Sequence, residues 1–362
     1  MENIGATLNA YTTREHTAYF ARVFKNDVAT GVDILSDILQ NPLLDPRAID
    51  NERSTILTEK ETVEKQEEEV VFDHLHSAAF LEDSLGLTIL GSDENIKSIS
   101  RQQLLDYVQT HYSADRMVLV GSGAVDHDQL CSLADKAFAS LPKTSKAPKR
   151  AAPSFFGALA KDEEDHKPLA YIAFGCQSVE WSHADHFTFM VLQSLLGSWD
   201  RSMGTNTSSR VCEKVALNGI AHSVSHFNTC YHSTGIFGVY AVAPEEHLEY
   251  LCHTLLHAWP ETASHVSENE LARAKKRVQA ACLSLDGNTA IMEDIGRQML
   301  TLGRRMSAAE VFQRIEAVTS SDIKRICREY LVNTPLAGSA LGRVQSLPDY
   351  HHLMAYSNPL LG

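Results

Sequence analysis

The chain has 362 residues, 44% of them hydrophobic, enough for two domains with a core each. Its net charge of −14 argues against nucleic acid and against an anionic membrane surface, and favours a basic partner or substrate. No apolar run approaches the ~20 residues that span a bilayer, so no transmembrane segment is expected, and seven scattered cysteines without a C-x-x-C pair read as reduced thiols in a core.

In chain order, M-E-N-I-G-A-T-L-N-A-Y opens as a strand with no Arg-rich, acid-poor leader. Residues 6–12 and 16–24 form the arms of a hairpin around T-R-E, and a helix follows over 26–40. From Leu44 to His76 the spacing predicts one long helix: Asp45 is the N-cap, Pro46 the first helical residue, and no Gly or Pro follows until Gly86. Ile49, Ile56 and Val63 recur every seventh residue as its buried stripe. Glu52 and Glu59 share that spacing, so they project from nearly the same side, about 60° round from the stripe, where the core is expected to meet a cleft.

A carboxylate at such an edge is paired, hydrogen-bonded or coordinating a cation. The plain structural expectation is a salt-bridged helix, with Arg53 and Lys60 as partners. Further on, L-G-L-T-I-L-G is a loop, Ser100 caps a helix to His111, M-V-L-V-G-S-G is a strand, and 126–140 is a helix. Residues 142–167, rich in Lys, Pro, Ser, Ala and Asp, read as a linker between domains at 1–141 and 168–362. The second domain begins with the strand L-A-Y-I-A-F-G, continues through helices at 183–197 and 207–217 and strands at 219–227 and 233–242, and ends in five helices between 244 and 331.

The halves repeat. The order hairpin, helix, long helix appears as I-G-A-T-L-N-A-Y-T-T-R-E-H-T-A-Y-F…V-D-I-L-S-D-I-L and again as G-I-A-H-S-V-S-H-F-N-T-C-Y-H-S-T-G-I-F…Y-L-C-H-T-L-L. Likewise E-N-I-K-S-I-S-R-Q-Q-L recurs as R-I-E-A-V-T-S-S-D-I, so the fold class is α+β with a duplicated domain. The second copy of the long helix carries no carboxylate from Ala272 to Cys282, so the Glu52/Glu59 pair belongs to the first half alone.

The runs E-N-I-G-A-T-L-N-A-Y-T-T-R-E, E-E-V-V-F-D-H-L-H, I-L-G-S-D-E-N-I-K-S-I-S, Y-S-A-D-R-M-V-L-V-G-S-G-A-V-D-H, G-S-W-D-R-S-M-G and F-N-T-C-Y-H-S-T-G-I-F-G resemble the family of mitochondrial processing peptidases and complex III core subunits, in its β-type branch. The likeness covers nearly the whole chain outside the linker and the final residues. It implies two α/β-sandwich domains, each a mainly antiparallel sheet packed with helices, the second catalytically inactive.

In that family of inverted zinc peptidases the metal is held by two His of a His-x-x-Glu-His helix and a Glu on a later helix, leaving one position for water. Aligned on E-R-S-T-I-L-T-E, the resemblance makes Glu59 the distal zinc ligand and Glu52 the carboxylate that orients a ligand His. No His-x-x-Glu-His occurs here; in the family it precedes the E-N-I-G strand. The zinc site is therefore expected to be incomplete, the chain truncated at its start and inactive alone. The pairs His253/His257, His222/His226, His183/His186 and His74/His76 are expected to be structural or exposed.

For substrate, the resemblance implies basic presequence peptides bound as an added strand along Asn9, Ala10 and Tyr11, with Glu69 and Asp73 gripping an Arg before the cleaved bond. It implies an α subunit as partner, since the glycine-rich loop of α-type chains is lacking, and a place in the mitochondrial matrix or on the matrix face of the inner membrane. Two functions stay open: a zinc endopeptidase subunit, and a core subunit assembled with complex III subunits. A bacterial-type homodimer is disfavoured by the G-S-W-D-R and F-N-T-C-Y segments.

Overall fold

The computed structural model describes residues 2–81, 83–144 and 151–358. A 3-10 turn at Glu2–Ile4, where a strand was expected, leads into strands β1 (Thr7–Thr12) and β2 (Thr17–Arg22). Helices α1 (Val28–Gln40), α2 (Pro46–Val63), α3 (Glu67–Ala79), α4 (Asp93–Ser98), α5 (Arg101–His111) and α6 (His127–Ala137) follow. Beyond them come β3 (Leu159–Glu163), β4 (Ala170–Ser178), α7 (His186–Leu196), β5 (Ser198–Asp200), α8 (Arg210–Asn218), β6 (Ser223–Cys230) and β7 (Gly235–Ala243). The chain closes through α9 (Leu248–Ser264), α10 (Glu268–Leu283), α11 (Gly287–Leu302), α12 (Ala308–Ala317), α13 (Ser320–Ile326), a π turn at Cys327–Leu331, β8 (Ala337–Gly342) and α14 (Tyr350–Ser357).

The described residues group into two units that do not follow the linear order: 2–61, 88–144 and 285–305 in the first, and 62–87, 152–284 and 306–358 in the second. Helix α3 packs in the second unit, whereas α11, which occupies the same place in the repeat, packs in the first. The repeat itself is visible in the elements, because β1-β2-α1-α2 and β6-β7-α9-α10 have the same order. Both halves also open an equivalent helix with a reciprocal cap, Ser100 with Gln103 and Thr319 with Asp322.

In the second unit a six-stranded sheet runs β3-β8-β4-β7-β6-β5, antiparallel except for β3 beside β8. Helices cover one face with Phe189, Leu192, Leu251, Leu255 and Trp259. Helix α3 covers the other, where Val71, Leu75 and Ala79 meet Ala173, Ile236 and Leu341. This two-sided burial is why β7 reads as a continuous apolar run instead of alternating. Burial pushes the thiol of Cys176 up to about 12 and raises those of Cys212, Cys252 and Cys327; all seven cysteines are free, five of them buried, while Cys131 is exposed and Cys282 half-buried, outside the core where the sequence placed them.

In the first unit β1 and β2 pair as an antiparallel two-stranded sheet. The Tyr19 and Tyr112 hydroxyls meet at 2.8 Å, and the Gln40 amide donates to the Ala137 carbonyl at 2.7 Å, which ties α1 to α6. Apolar burial is thin: Ala6, Val32 and Ile96 are buried, while Phe24 and Leu43 remain 67% and 86% exposed.

Three expectations are corrected. The long helix is broken at residues 64–66 without Gly or Pro. The Lys65 and Gln66 N–H groups bond back to the Thr62 and Val63 carbonyls, and Gln66 is extended at φ −97° and ψ 101°. Burying Val71, Leu75 and Phe80 in the second unit, at about 2 kcal/mol per side chain, outweighs the helical bonds given up. The segment M-V-L-V-G-S-G is not a strand, because no described segment pairs with its backbone. The span read as a linker contains β3, which adds to the sheet edge through β8; its residues 145–150 lie outside those described.

Candidate functional site

Helix α2 starts as its sequence dictates, with Asp45 Oδ1 accepting from the Arg47 and Ala48 N–H groups at 2.9 and 3.2 Å. Ile49, Ile56 and Val63 are its half-buried stripe, and no residue of the helix is fully buried. Glu52 and Glu59 are exposed, further from the core than expected, and neither bonds to another described residue. Their neighbouring cations are engaged elsewhere. Arg53 pairs with Asp50 and donates to the Ile99 carbonyl at 2.5 Å, and Lys60 reaches Asp93 at 2.7 Å. The salt-bridged reading of these two glutamates is therefore not realised: α2 presents two free carboxylates one heptad apart.

Among the described residues no group of three or more His, Cys, Asp or Glu side chains is placed to hold a metal ion. The histidine pairs are stacked, hydrogen-bonded or exposed, and none belongs to a group of three metal donors among the described residues. His253 and His257 stack at 5.3 Å without an intervening carboxylate. His226 is buried, bonds the Gly197 carbonyl through Nδ1 at 2.8 Å, and is pushed down to about 4 by burial. His76 lies between the Phe72 carbonyl (2.6 Å) and the Tyr231 hydroxyl (2.5 Å); a carbonyl only accepts, so Nδ1 carries the proton and Nε2 accepts from Tyr231.

Strand β1 is exposed along its whole length, and β2 is the only described strand beside it, so its other edge is open to a further strand. Asn9, Ala10 and Tyr11 stand opposite Phe20, Tyr19 and Ala18. The Ala10 N–H donates to the Asn9 side chain at 2.8 Å, a local cap. The Tyr11 ring rests against His16 and Phe20 with centroids 6.4 and 6.3 Å away, and burial, with Glu293 adding to it, raises its phenol.

Helix α3 is acidic where it begins and apolar where it docks. Glu67, Glu68 and Glu69 fill its first turn, which the helix dipole favours. Glu67 is held below the usual carboxylate range by its backbone hydrogen bond and by Lys167, 3.3 Å away. Glu69 is exposed without a partner among the described residues, and Asp73 is half-buried one turn on. The apolar side is fixed by Phe72, whose ring meets Phe227 at 5.0 Å and Tyr240 at 5.7 Å. The Glu67 to Lys167 pair was not foreseen, because a contact across a hundred positions leaves no local signal in sequence.

Asn9, Ala10 and Tyr11 thus share β1, Glu52 and Glu59 share α2, and Glu69 and Asp73 share α3, each group placed by its own element. Residues 1–93 match the family described as insulinase (peptidase family M16), and residues 98–278 match the peptidase M16 inactive domain. The chain is 46% identical to the mitochondrial-processing peptidase subunit beta of Blastocladiella emersonii over 99% of its own length and 78% of that protein. To the human protein of the same name it is 41% identical, over 98% of this chain and 73% of that one. A chain of the structure described as complex III2 from Candida albicans with Inz-5 bound superposes with a TM-score of 0.89 at 24% identity, covering 98% of this chain and 86% of that one, a likeness of fold.

Proposed function

Since the chain belongs to peptidase family M16, we propose that it is the β-type subunit of a mitochondrial processing peptidase, acting with an α-type partner on basic presequences of imported precursors in the matrix or at the matrix face of the inner membrane. The observation that carries this reading is the 46% identity over nearly the entire chain to a protein of that name. The core-subunit alternative, with complex III subunits as partners, is favoured only by the likeness of fold. Among the described residues no helix is long and apolar enough to cross a membrane.

The family uses zinc, and the described residues do not make a zinc site. Glu59 offers one carboxylate, with Glu52 one heptad away to position a neighbouring ligand, and no further donor gathers around them.

Substrate binding follows from the chain's own groups. The open edge of β1 supplies backbone donors and acceptors to an extended peptide irrespective of its side chains, with a peptide carbonyl replacing Asn9 at the Ala10 N–H. Glu69 and Asp73, four residues apart on one helix face, present two carboxylates to a planar guanidinium, which a lysine ammonium matches less well. The net charge of −14 draws a cationic peptide in and makes the encounter salt-sensitive.

The test is turnover of a basic presequence peptide by the complex of an α-type partner with a form of this protein that carries the family's His-x-x-Glu-His motif ahead of the E-N-I-G strand. Turnover abolished by Glu59→Gln supports the reading. Turnover untouched by that change removes Glu59 from the metal site, and failure of the complex to bind the peptide removes the processing function.

A further inference from the structure

Helix α10 occupies the place in the second repeat that α2 occupies in the first, and its charge is inverted. From Ala272 to Cys282 the run A-R-A-K-K-R-V-Q-A-A-C carries four cations and no carboxylate. Leu271, Ala274 and Val278 turn into the core, which leaves Arg273, Lys276 and Arg277 exposed on one side at spacings of three and four. With Ser208 and Ala272 they line a surface hollow of about 380 Å³.

None of these three cations is ion-paired among the described residues. Arg277 is anchored by neutral oxygens: Nε donates to Ser194 Oγ at 3.2 Å, and its Nη groups bond Ser208 Oγ and the Ser194 carbonyl. Lys276 reaches only Gln279 Oε1, at 3.4 Å. Glu270, the carboxylate that feels Arg273, is already held by Arg210 at 2.6 Å and by Ser267 Oγ at 2.6 Å. Burial and the nearby Arg273 charge both lower Arg277, as expected of positive charge that lacks a counterion.

We propose that this hollow is a binding site for a phosphate-type oxyanion. Arg273 and Lys276 supply charge-assisted donors, and Arg277 is held in place by its serine contacts instead of having to be ordered by the ligand. Ser208 Oγ accepts from Arg277, so its own O–H is left to donate to the anion. Aliphatic stems of the three long side chains and the Ala272 methyl make up most of the wall of the hollow, which is open to solvent, so the contacts are screened by salt and strongest at low ionic strength. Free phosphate and the phosphate headgroup of an anionic lipid offer the same chemistry. The site is on the unit that lacks Glu52 and Glu59, and it does not depend on the peptidase reading.

The experiment uses the full chain in two arms. Titration calorimetry at low ionic strength measures binding of inorganic phosphate, and vesicle flotation compares phosphatidylglycerol with phosphatidylcholine. In the double variant R273Q/K276Q, which keeps the Arg277 anchor, affinity is expected to fall about tenfold or more, while R273K retains it. Both positions are exposed, so thermal unfolding should stay put, and K276Q alone is the check if the double variant folds poorly. Phosphate binding without flotation identifies the free ion as the ligand; flotation on phosphatidylglycerol that phosphate reverses identifies the headgroup. Binding that survives R273Q/K276Q and K276Q undiminished, or no binding to phosphate or to either vesicle, overturns the proposal.

Discussion

Lys60 Nζ lies 2.7 Å from Asp93 Oδ1, so the cation adjacent to Glu59 in the helix is engaged with a different element and Glu59 is left free. A carboxylate that pairs with nothing contributes little to folding. Glu59→Gln is expected to change the unfolding free energy by less than about 0.5 kcal/mol, measured by urea denaturation. Asp93→Asn should instead give a small loss that vanishes at high salt, because that pair is largely solvated. A large destabilisation on Glu59→Gln would mean that the carboxylate is structural.

Glu69 and Asp73 are expected to act on KM rather than on stability. Changing both to amides removes up to two charge-assisted bonds to an arginine, worth about 1.5 kcal/mol each, so KM for a peptide with Arg near the cut should rise about tenfold or more. The same variant should handle an Arg-free peptide almost normally. Equal losses on both peptides would show general electrostatics in place of a guanidinium clamp.

His226 makes stability depend on pH. Burial lowers its imidazole from 6.5 to about 4, while the unfolded chain keeps the ordinary value. Below pH 6.5 the unfolded chain therefore takes up a proton that the folded one refuses until about pH 4. Stability from this residue is complete above that window and falls as pH drops through it, by roughly 3 kcal/mol in all. Denaturation midpoints between pH 7 and 4 should flatten in His226→Asn, which cannot charge; an unchanged slope would assign the acid sensitivity to other groups.

Gly238 sits in the middle of β7, opposite Gly175 on β4 and Phe227 on β6. A Cβ there would collide with the Phe174 carbonyl oxygen and lie 2.6 Å from Phe227 Cζ. Since the first obstacle is backbone, Gly238→Ala is expected to cost about 3 kcal/mol or more in a thermal or denaturant melt. A near-neutral result would mean that β4 and β7 can separate at that point.

Tyr231 gives His76 its second hydrogen bond, and the pair is buried. Tyr231→Phe is expected to destabilise by about 1–3 kcal/mol, because the imidazole loses its donor in a place water does not readily reach. The imidazole nitrogen shifts, read by NMR, should show the proton on Nδ1 in the parent protein. A proton found on Nε2 would contradict the bond to the Phe72 carbonyl.

Local chemistry was legible. Asp45 before Pro46, Ser100 as the cap of its helix, and the hairpin at T-R-E each concern groups a few positions apart, and each stands in the structure as the residues imply. The duplication was legible for the same reason, because like runs of sequence build like elements. The strand at M-V-L-V-G-S-G was misread because β propensity describes a segment, whereas a strand needs a partner. The ligand role of Glu59 and the strand-binding role of Asn9 to Tyr11 come from family likeness; the residues themselves say only that α2 has two carboxylates in register and that β1 is polar.

The sequence by itself determined the repeat, the capped helices, the acid content and the pairing of Glu52 with Glu59 on one helix side, since all of these follow from spacing along a regular backbone. Only the tertiary structure decided that the helix breaks before α3 and delivers Val71 and Leu75 to the sheet of the other unit. It also decided that Arg53 and Lys60 turn to Asp50 and Asp93, leaving both glutamates unpaired among the described residues. The physical reason is the same in each case. Burial and ion pairing depend on which surfaces meet, and residues far apart in the chain meet only when packing gains more than continued local regularity would.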